Sequence, residues 1–184
     1  YSIGRGRALH SHRAAGNLRR EGVSVPEPLG VLRLPEGMVL LSEAIPGNGN
    51  LLQVWREGPS KEEGGRILQV AGHVLGHLHT TGFAHGDCKW NNILWDGNGI
   101  SLVDLDAVCK AELHSARQAR DIARFTVYAE EMGVDAEQFN LFLESYLQVL
   151  GATRQRVVET MVPFVYSIRA KHLARYGHHG SRLV

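Results

Sequence analysis

The stretch Phe83-Ala84-His85-Gly86-Asp87-Cys88-Lys89-Trp90-Asn91-Asn92-Ile93-Leu94 decides how the rest of the chain is read. It sets a carboxylate, an ammonium and an amide at steps of two and three residues, and twelve residues beyond Asn92 an apolar run delivers a second carboxylate, Asp104. Asp96-Gly97-Asn98-Gly99 is a turn signal. The apolar stretch Ile93 to Trp95 and the strand Ile100 to Leu105 therefore read as a hairpin that returns Asp104 to the side of Asn92. Phosphoryl transfer from a nucleotide needs a carboxylate on the acceptor hydroxyl, oxygen ligands for magnesium and a cation near the moving phosphoryl. Asp87, the Asn92/Asp104 pair and Lys89 offer one candidate for each. A polar hairpin with solvated turn residues would not require three such matched spacings.

Outward from this core, a helix is expected from Ser60, which has capping-box spacing to Glu63, to Thr80, with Gly82 ending it. Ile67, Val70, Val74 and Leu78 form one face, widened by Leu68, Ala71 and Leu75. Further upstream, Arg7 to Glu21 reads as a helix burying Leu9, Ala14, Ala15 and Leu18. Val31 to Leu34 and Met38 to Leu41 read as strands joined at Pro35-Glu36-Gly37, and Pro46-Gly47-Asn48-Gly49-Asn50 as a loop. Downstream, helices are expected over Ser115 to Met132, Ala136 to Leu150 and Thr153 to Tyr176, with Pro163 kinking or breaking the last. No internal repeat or low-complexity tract appears.

The chain has 184 residues, 43% of them hydrophobic, enough for one substantial core. A net charge of +1 gives no basic excess of the kind that marks nucleic-acid binders. Two cysteines, Cys88 and Cys109, are too few for a disulfide framework. There is no apolar run long enough for a membrane span and no signal-peptide pattern, so a cytoplasmic protein is expected. The sequence opens on Tyr1 rather than Met, which reads as a fragment or processed piece.

His85-x-Asp87-x-Lys89-x-x-Asn92 resembles the catalytic loop of the protein-kinase superfamily, and Val103-Asp104-Leu105-Asp106 stands where kinases carry their magnesium aspartate. The fuller wording is similar to the Kdo/WaaP-type lipopolysaccharide kinases. It comprises His-Gly-Asp-Cys-Lys-Trp-Asn-Asn-Ile-Leu, Leu-Val-Asp-Leu-Asp-Ala, Ala119-Arg120-Asp121-Ile122-Ala123-Arg124-Phe125 and the earlier Gly-Val-Ser-Val-Pro-Glu-Pro-Leu. That family uses ATP to phosphorylate sugar hydroxyls of the lipopolysaccharide core in Gram-negative bacteria. The resemblance implies an α+β, protein-kinase-like fold, with residues 1–45 a partial β-containing N-lobe leading to the hinge and 46–184 a mostly helical C-lobe. It implies Asp87 as catalytic base, Lys89 as phosphate-facing cation, and Asn92 and Asp104 as Mg²⁺ ligands. His85 would brace the loop, Asp121 would tie its helix to the loop backbone, and Glu43 would stand at the adenine-binding hinge. The implied partners are a nucleotide and a glycolipid or sugar acceptor, with peripheral contact at the inner membrane and no nucleic acid.

The departures from the kinase pattern are specific. None of the lysines, Lys61, Lys89, Lys110 and Lys171, precedes the first helix on a strand, and that helix has no Glu before Glu21. No Gly-rich strand-turn-strand precedes it either, Gly4-Arg5-Gly6 being too short. The expectation is a chain that starts after the first three strands of the small lobe, and a fragment weak or inactive on its own. Competing functions are an atypical protein-serine kinase, a small-molecule kinase, which would lack the counterpart of Lys89, and a non-catalytic kinase-like binding module. His73 and His77 have the spacing of a zinc site, but Val74 stands where a zinc hydrolase carries Glu. With His79 they are read as structural or surface residues, and His178-His179 as solvated. Trp90 and Trp95 are read as packing residues and Cys88 as a semi-buried one. Arg169, Lys171, His172, Arg175 and Arg182 read as a solvated basic helix end, or as a dock for anionic lipid or phosphorylated glycolipid.

Overall fold

The structure, a computed structural model, describes residues 5–47, 49–177 and 182–184. Expectations that fell on Gly4, Asn48, His178 and His179 lie outside these residues. Helix α1 (Arg5–Arg20) buries Ala8, Ala14, Ala15 and Leu18, while Leu9 is 39% exposed. Ala8, one position earlier than expected, takes the inward place. The helix closes on Gly22, whose φ of +77° lets the Val23 N–H reach the Leu18 carbonyl. Strands β1 (Pro28–Leu34) and β2 (Gly37–Ser42) pair antiparallel and pack against α1.

Next comes the short strand β3 (Gly49–Asn50), followed by helix α2 (Leu51–Arg56), which was not expected. Its start is a reciprocal capping box. The Asn50 side chain accepts from the Gln53 N–H, and the Gln53 side chain accepts from the Asn50 N–H. Helix α3 (Lys61–Thr80) begins at Ser60, whose hydroxyl accepts from the Glu63 N–H at 3.1 Å. Strand β4 (Phe83–Ala84) leads into the loop quoted above, which ends in a 3-10 turn at Trp90–Asn92. Strands β5 (Ile93–Trp95) and β6 (Ile100–Leu102) form the hairpin, with β3 on its other edge. The second strand stops three residues short of expectation. Asp104 adopts a left-handed conformation (φ 59°, ψ 58°), and a 3-10 turn occupies Leu105–Ala107. Strand β7 (Cys109–Lys110) then pairs with β4.

Helices α4 (Ala116–Glu131), α5 (Ala136–Leu150) and α6 (Arg154–Tyr176) complete the chain. Pro163 lies inside α6 without ending it. Mixed helix and sheet, with short strands, makes this an α+β fold. Among the described residues no helix is long and apolar enough to cross a membrane.

The core packs against the loop that follows β4. Trp90 is fully buried, with Trp55 edge-on at 5.3 Å and Phe125 at 5.5 Å, and Phe125 stacks on Phe142 at 4.2 Å. Trp95 is likewise buried, and Cys88, expected to be semi-buried, is completely so. The basic end of α6 differs from expectation at Arg169. That side chain is 6% exposed and forms a fork with Glu130 of α4, its NH2 also donating to the Val184 carbonyl at 3.0 Å. A guanidinium sunk against a buried carboxylate belongs to the helix packing and faces neither solvent nor lipid.

Helix α3 approaches α5 closely because its facing side carries glycines. A Cβ on Gly72 would lie 2.2 Å from the Phe142 carbonyl oxygen, which is backbone and does not yield. Gly72→Ala should therefore force the two helices apart and cost about 1–3 kcal/mol, read as a lower denaturation midpoint. An unchanged midpoint would mean the helices are not locked at this distance.

Candidate active site

Strand β4 delivers the chain to His85, and the next two residues are caught by one carboxylate. Asp121 of α4, 1% exposed, accepts from the His85 N–H at 2.6 Å through Oδ2 and from the Gly86 N–H at 3.0 Å through Oδ1. Two backbone donors, one buried and one part-buried, that a turn would otherwise strand are thereby satisfied. The same carboxylate meets His79 Nε2 at 3.4 Å, and His79 Nδ1 bonds the Tyr146 hydroxyl at 2.8 Å. Burial raises the Tyr146 hydroxyl well above its usual range, with Asp121 adding to the effect, so it stays protonated as a donor. Gly86 has a φ of +81°, and a Cβ there would lie 2.4 Å from the Ala107 carbonyl oxygen.

His85 is buried and joins the loop to the second strand of the hairpin. Burial lowers its pKa, with Asp121, the Val103 carbonyl, Asp87 and Asp104 opposing, so the ring is neutral at neutral pH. Its Nε2 lies 3.1 Å from the Val103 carbonyl, which requires a proton on that nitrogen. Nδ1 is then the acceptor for the Asp87 N–H at 3.3 Å. One ring thus spans the backbone of Asp87 and that of the residue before Asp104.

Asp87 projects into a cleft, with its two oxygens facing different partners. Oδ2 meets Lys89 Nζ at 2.8 Å and accepts from Asn92 Nδ2 at 3.1 Å. Oδ1 accepts from Arg124 NH1 at 2.9 Å, and the same NH1 donates to the Gly86 carbonyl at 2.8 Å. Burial pushes the Asp87 carboxyl up, but the Lys89 hydrogen bond and charge, the Arg124 charge and the Asn92 amide outweigh it. Its pKa falls below the ordinary value. Lys89 is raised, chiefly by its hydrogen bond to Asp87, with Asp104 also contributing.

The hairpin brings the backbone of Asn92 against that of Val103, the residue before Asp104. Ile93 is opposite Leu102, and the Val103 N–H donates to the Asn92 carbonyl at 3.0 Å. Asn92 spends both amide donors on Asp87, to its carbonyl at 2.9 Å and to its carboxylate. That orientation leaves Oδ1 as an oxygen donor, and the exposed Asp104 carboxylate makes no hydrogen bond or ion pair among the described residues. A neutral amide oxygen and a carboxylate are donor types suited to Mg²⁺, which keeps waters and phosphate oxygens for the rest of its shell.

Glu43 stands apart from this cluster. Its N–H donates to the Glu27 carbonyl at 2.9 Å and its carboxylate accepts from the Glu27 N–H at 3.1 Å, closing the base of the first hairpin. Of its backbone, only the carbonyl is left for another partner. Arg124 carries no motif signal of its own in the sequence, although it follows Asp121 by three residues and so shares its helix face. His77, an earlier zinc candidate, bonds the Glu21 carbonyl at 3.0 Å.

Residues 1–146 match the sequence model of the Lipopolysaccharide kinase (Kdo/WaaP) family. Two 3-deoxy-D-manno-octulosonic acid kinases of Stenotrophomonas maltophilia are similar, from strain R551-3 at 33% identity and from strain K279a at 32%, each over 110 residues. Each match takes in 55% of this chain but spans only 41% of the relative's length. A solved structure of WaaP in complex with acyl carrier protein superposes with a TM-score of 0.67 at 18% identity. It covers 92% of this chain and 76% of that one, and shows the shared fold.

Asp121→Ala removes the acceptor for the buried His85 N–H, which costs about 1–3 kcal/mol when stranded, and for the part-buried Gly86 N–H. Amide exchange at His85 and Gly86 should accelerate beyond the change in global stability. Equal acceleration across α3 and α5 would show instead that Asp121 supports the fold generally.

Proposed function

The chain belongs to the lipopolysaccharide kinase (Kdo/WaaP) family, and we propose that it transfers the γ-phosphoryl group of ATP to a sugar hydroxyl of the lipopolysaccharide core. The observation that carries this reading is the Asp87 carboxylate, gripped by Lys89 and Arg124 on a loop whose Asn92 is paired through the sheet to the residue preceding Asp104. The names of the two Stenotrophomonas relatives support an acid sugar as the acceptor.

In this reading the acceptor hydroxyl oxygen forms a bond to the γ-phosphorus as the bond to the β-bridging oxygen breaks. ADP leaves with that electron pair, and the hydroxyl proton passes to Asp87. A carboxylate whose pKa is depressed is a weak base. Its main work is therefore to orient the hydroxyl, which suits a loose transition state in which the proton moves late. Lys89 sits where it can follow the moving phosphoryl. Asn92 Oδ1 and Asp104 would hold Mg²⁺, which supplies charge neutralisation at the phosphates when bound. Glu43, through its carbonyl, belongs to the adenine hinge between a smaller lobe (residues 1–45) and a helical one (46–184). The protein would work in the cytoplasm, in peripheral contact with the inner membrane that carries the acceptor.

Asp87→Asn in the intact protein should lower kcat about 10²–10⁴-fold while ATP binding persists. Asp104→Ala should abolish Mg²⁺-dependent turnover. Near-normal rates in either variant would remove the assigned roles.

The pH dependence has a definite sign. Because the folded pKa of Asp87 lies below its ordinary value of 3.8, its ion pairs contribute stability above the unfolded pKa and lose it as pH falls through the folded one. The acid limb of kcat/KM attributable to Asp87 should therefore lie below pH 3.8. A limb centred near pH ~6, unmoved in an Asp87→Glu variant, would assign the base elsewhere.

A further inference from the structure

A cavity of about 560 Å³ opens beside Asp87. Its walls are Arg124 and Tyr128 from α4, His172 and Arg175 from α6, and Lys89 and Asn91 from the loop. Among the described residues three full cations line it, and Asp87 is its one lining carboxylate. Glu131, the next acid, hydrogen-bonds His172 Nδ1 and so fixes α6 against α4. The Tyr128 ring meets the His172 ring edge-on at 5.6 Å, bracing the same wall. Lys89 and Arg124 share the single negative charge of Asp87, so the cavity keeps a positive excess. A neutral hydroxyl alone would not need such a lining.

The two oxygens of Asp87 divide the space. Oδ2 faces Lys89 and Asn92, on the side of the Asn92–Asp104 pair, where nucleotide phosphates and metal belong in the proposed function. Oδ1 faces Arg124 and the α4–α6 wall. Arg124 makes both of its hydrogen bonds through NH1, so its Nε and NH2 donors make no bond among the described residues. A guanidinium with one edge committed and its remaining donors uncommitted is suited to an oxyanion. Arg175, one turn after His172 and exposed at the rim, is placed to close on the same anion.

We propose that this cavity is a subsite for an oxyanion carried by the acceptor, with Arg124 and Arg175 binding it while Asp87 faces the hydroxyl to be phosphorylated. The proposal rests on the kinase reading above and adds to it which face of Asp87 receives the acceptor and which side chains select it. The oxyanion is a sugar carboxylate or a phosphate already on the glycolipid.

The test uses the intact protein and three acceptors: an acid-sugar glycolipid, its carboxamide analogue, and the acid form with its phosphates removed. Arg175→Gln should raise the KM for the acid acceptor about tenfold or more, with kcat and the KM for ATP nearly unchanged. The preference of the unaltered protein for its anionic acceptor should collapse in the variant. Loss of preference on amidation identifies a carboxylate, and loss on dephosphorylation identifies a phosphate. Equal use of all three acceptors, or a rise in the KM for ATP instead, would overturn the subsite. A cooperative thermal melt and an unaltered far-UV circular dichroism spectrum check that the Arg175→Gln variant folds. Calorimetric binding of the acceptors without ATP separates the two readings. Discrimination in binding without any phosphoryl transfer would keep the subsite and remove the kinase function. Transfer without discrimination would do the reverse.

Discussion

Everything in the candidate site hangs on the carboxylate of Asp121. The loop after β4 turns sharply, and its backbone cannot satisfy its own donors in a sheet or a helix. Asp121 supplies both missing acceptors, one oxygen for His85 and one for Gly86. An acid 1% exposed would ordinarily be costly to bury, but two backbone N–H groups and the His79 ring supply the partners that water would. The contact also transmits position. Because Asp121 sits on α4, and α4 carries Arg124 and Tyr128 further along the same face, the helix that holds the loop backbone also delivers the guanidinium that steadies Asp87.

A second link ties the loop to the hairpin. Neutral His85 donates to the Val103 carbonyl and accepts from the Asp87 N–H, while Asn92 uses its amide on Asp87 from the other direction. Any displacement of Asp104 along the strand would therefore be felt at Asp87 through a ring and an amide rather than through a flexible chain. Within the proposed function this matters because metal, phosphate and hydroxyl must be held at fixed separations, and positioning is most of what a phosphoryl-transfer enzyme provides.

Much of this arrangement was legible in the sequence, and what was not has identifiable causes. The long helices announced themselves by periodicity, and the hairpin by its Asp-Gly-Asn-Gly turn. Helix α2 escaped because six residues carry too little periodicity, although Asn50 and Gln53 held the capping signal. The apolar run continues past Leu102 to Leu105 and so reads as strand, and nothing in composition reveals that Asp104 turns left-handed. Leu9 looked like the better core residue than Ala8, yet a helix close to its neighbours buries the smaller side chain. Arg169 shows the limit most clearly. Its charge and its place in a basic cluster suggested solvent, and only the tertiary partner Glu130, thirty-nine positions earlier in the chain, explains its burial.

The two arginine–carboxylate contacts between or beside α4 and α6 work in opposite ways. Arg169 and Glu130 satisfy one another almost fully, with the Leu183 N–H and the Val184 carbonyl taking up further valence, so that pair has no capacity left for a ligand. Arg124 and Asp87 are both part-exposed and share their charges with the loop carbonyl and Lys89. The first pair fixes how far α6 stands from α4. The same two helices line the cavity that holds Arg124 and Arg175, so one arginine–carboxylate pair closes the helix interface while the other faces open space.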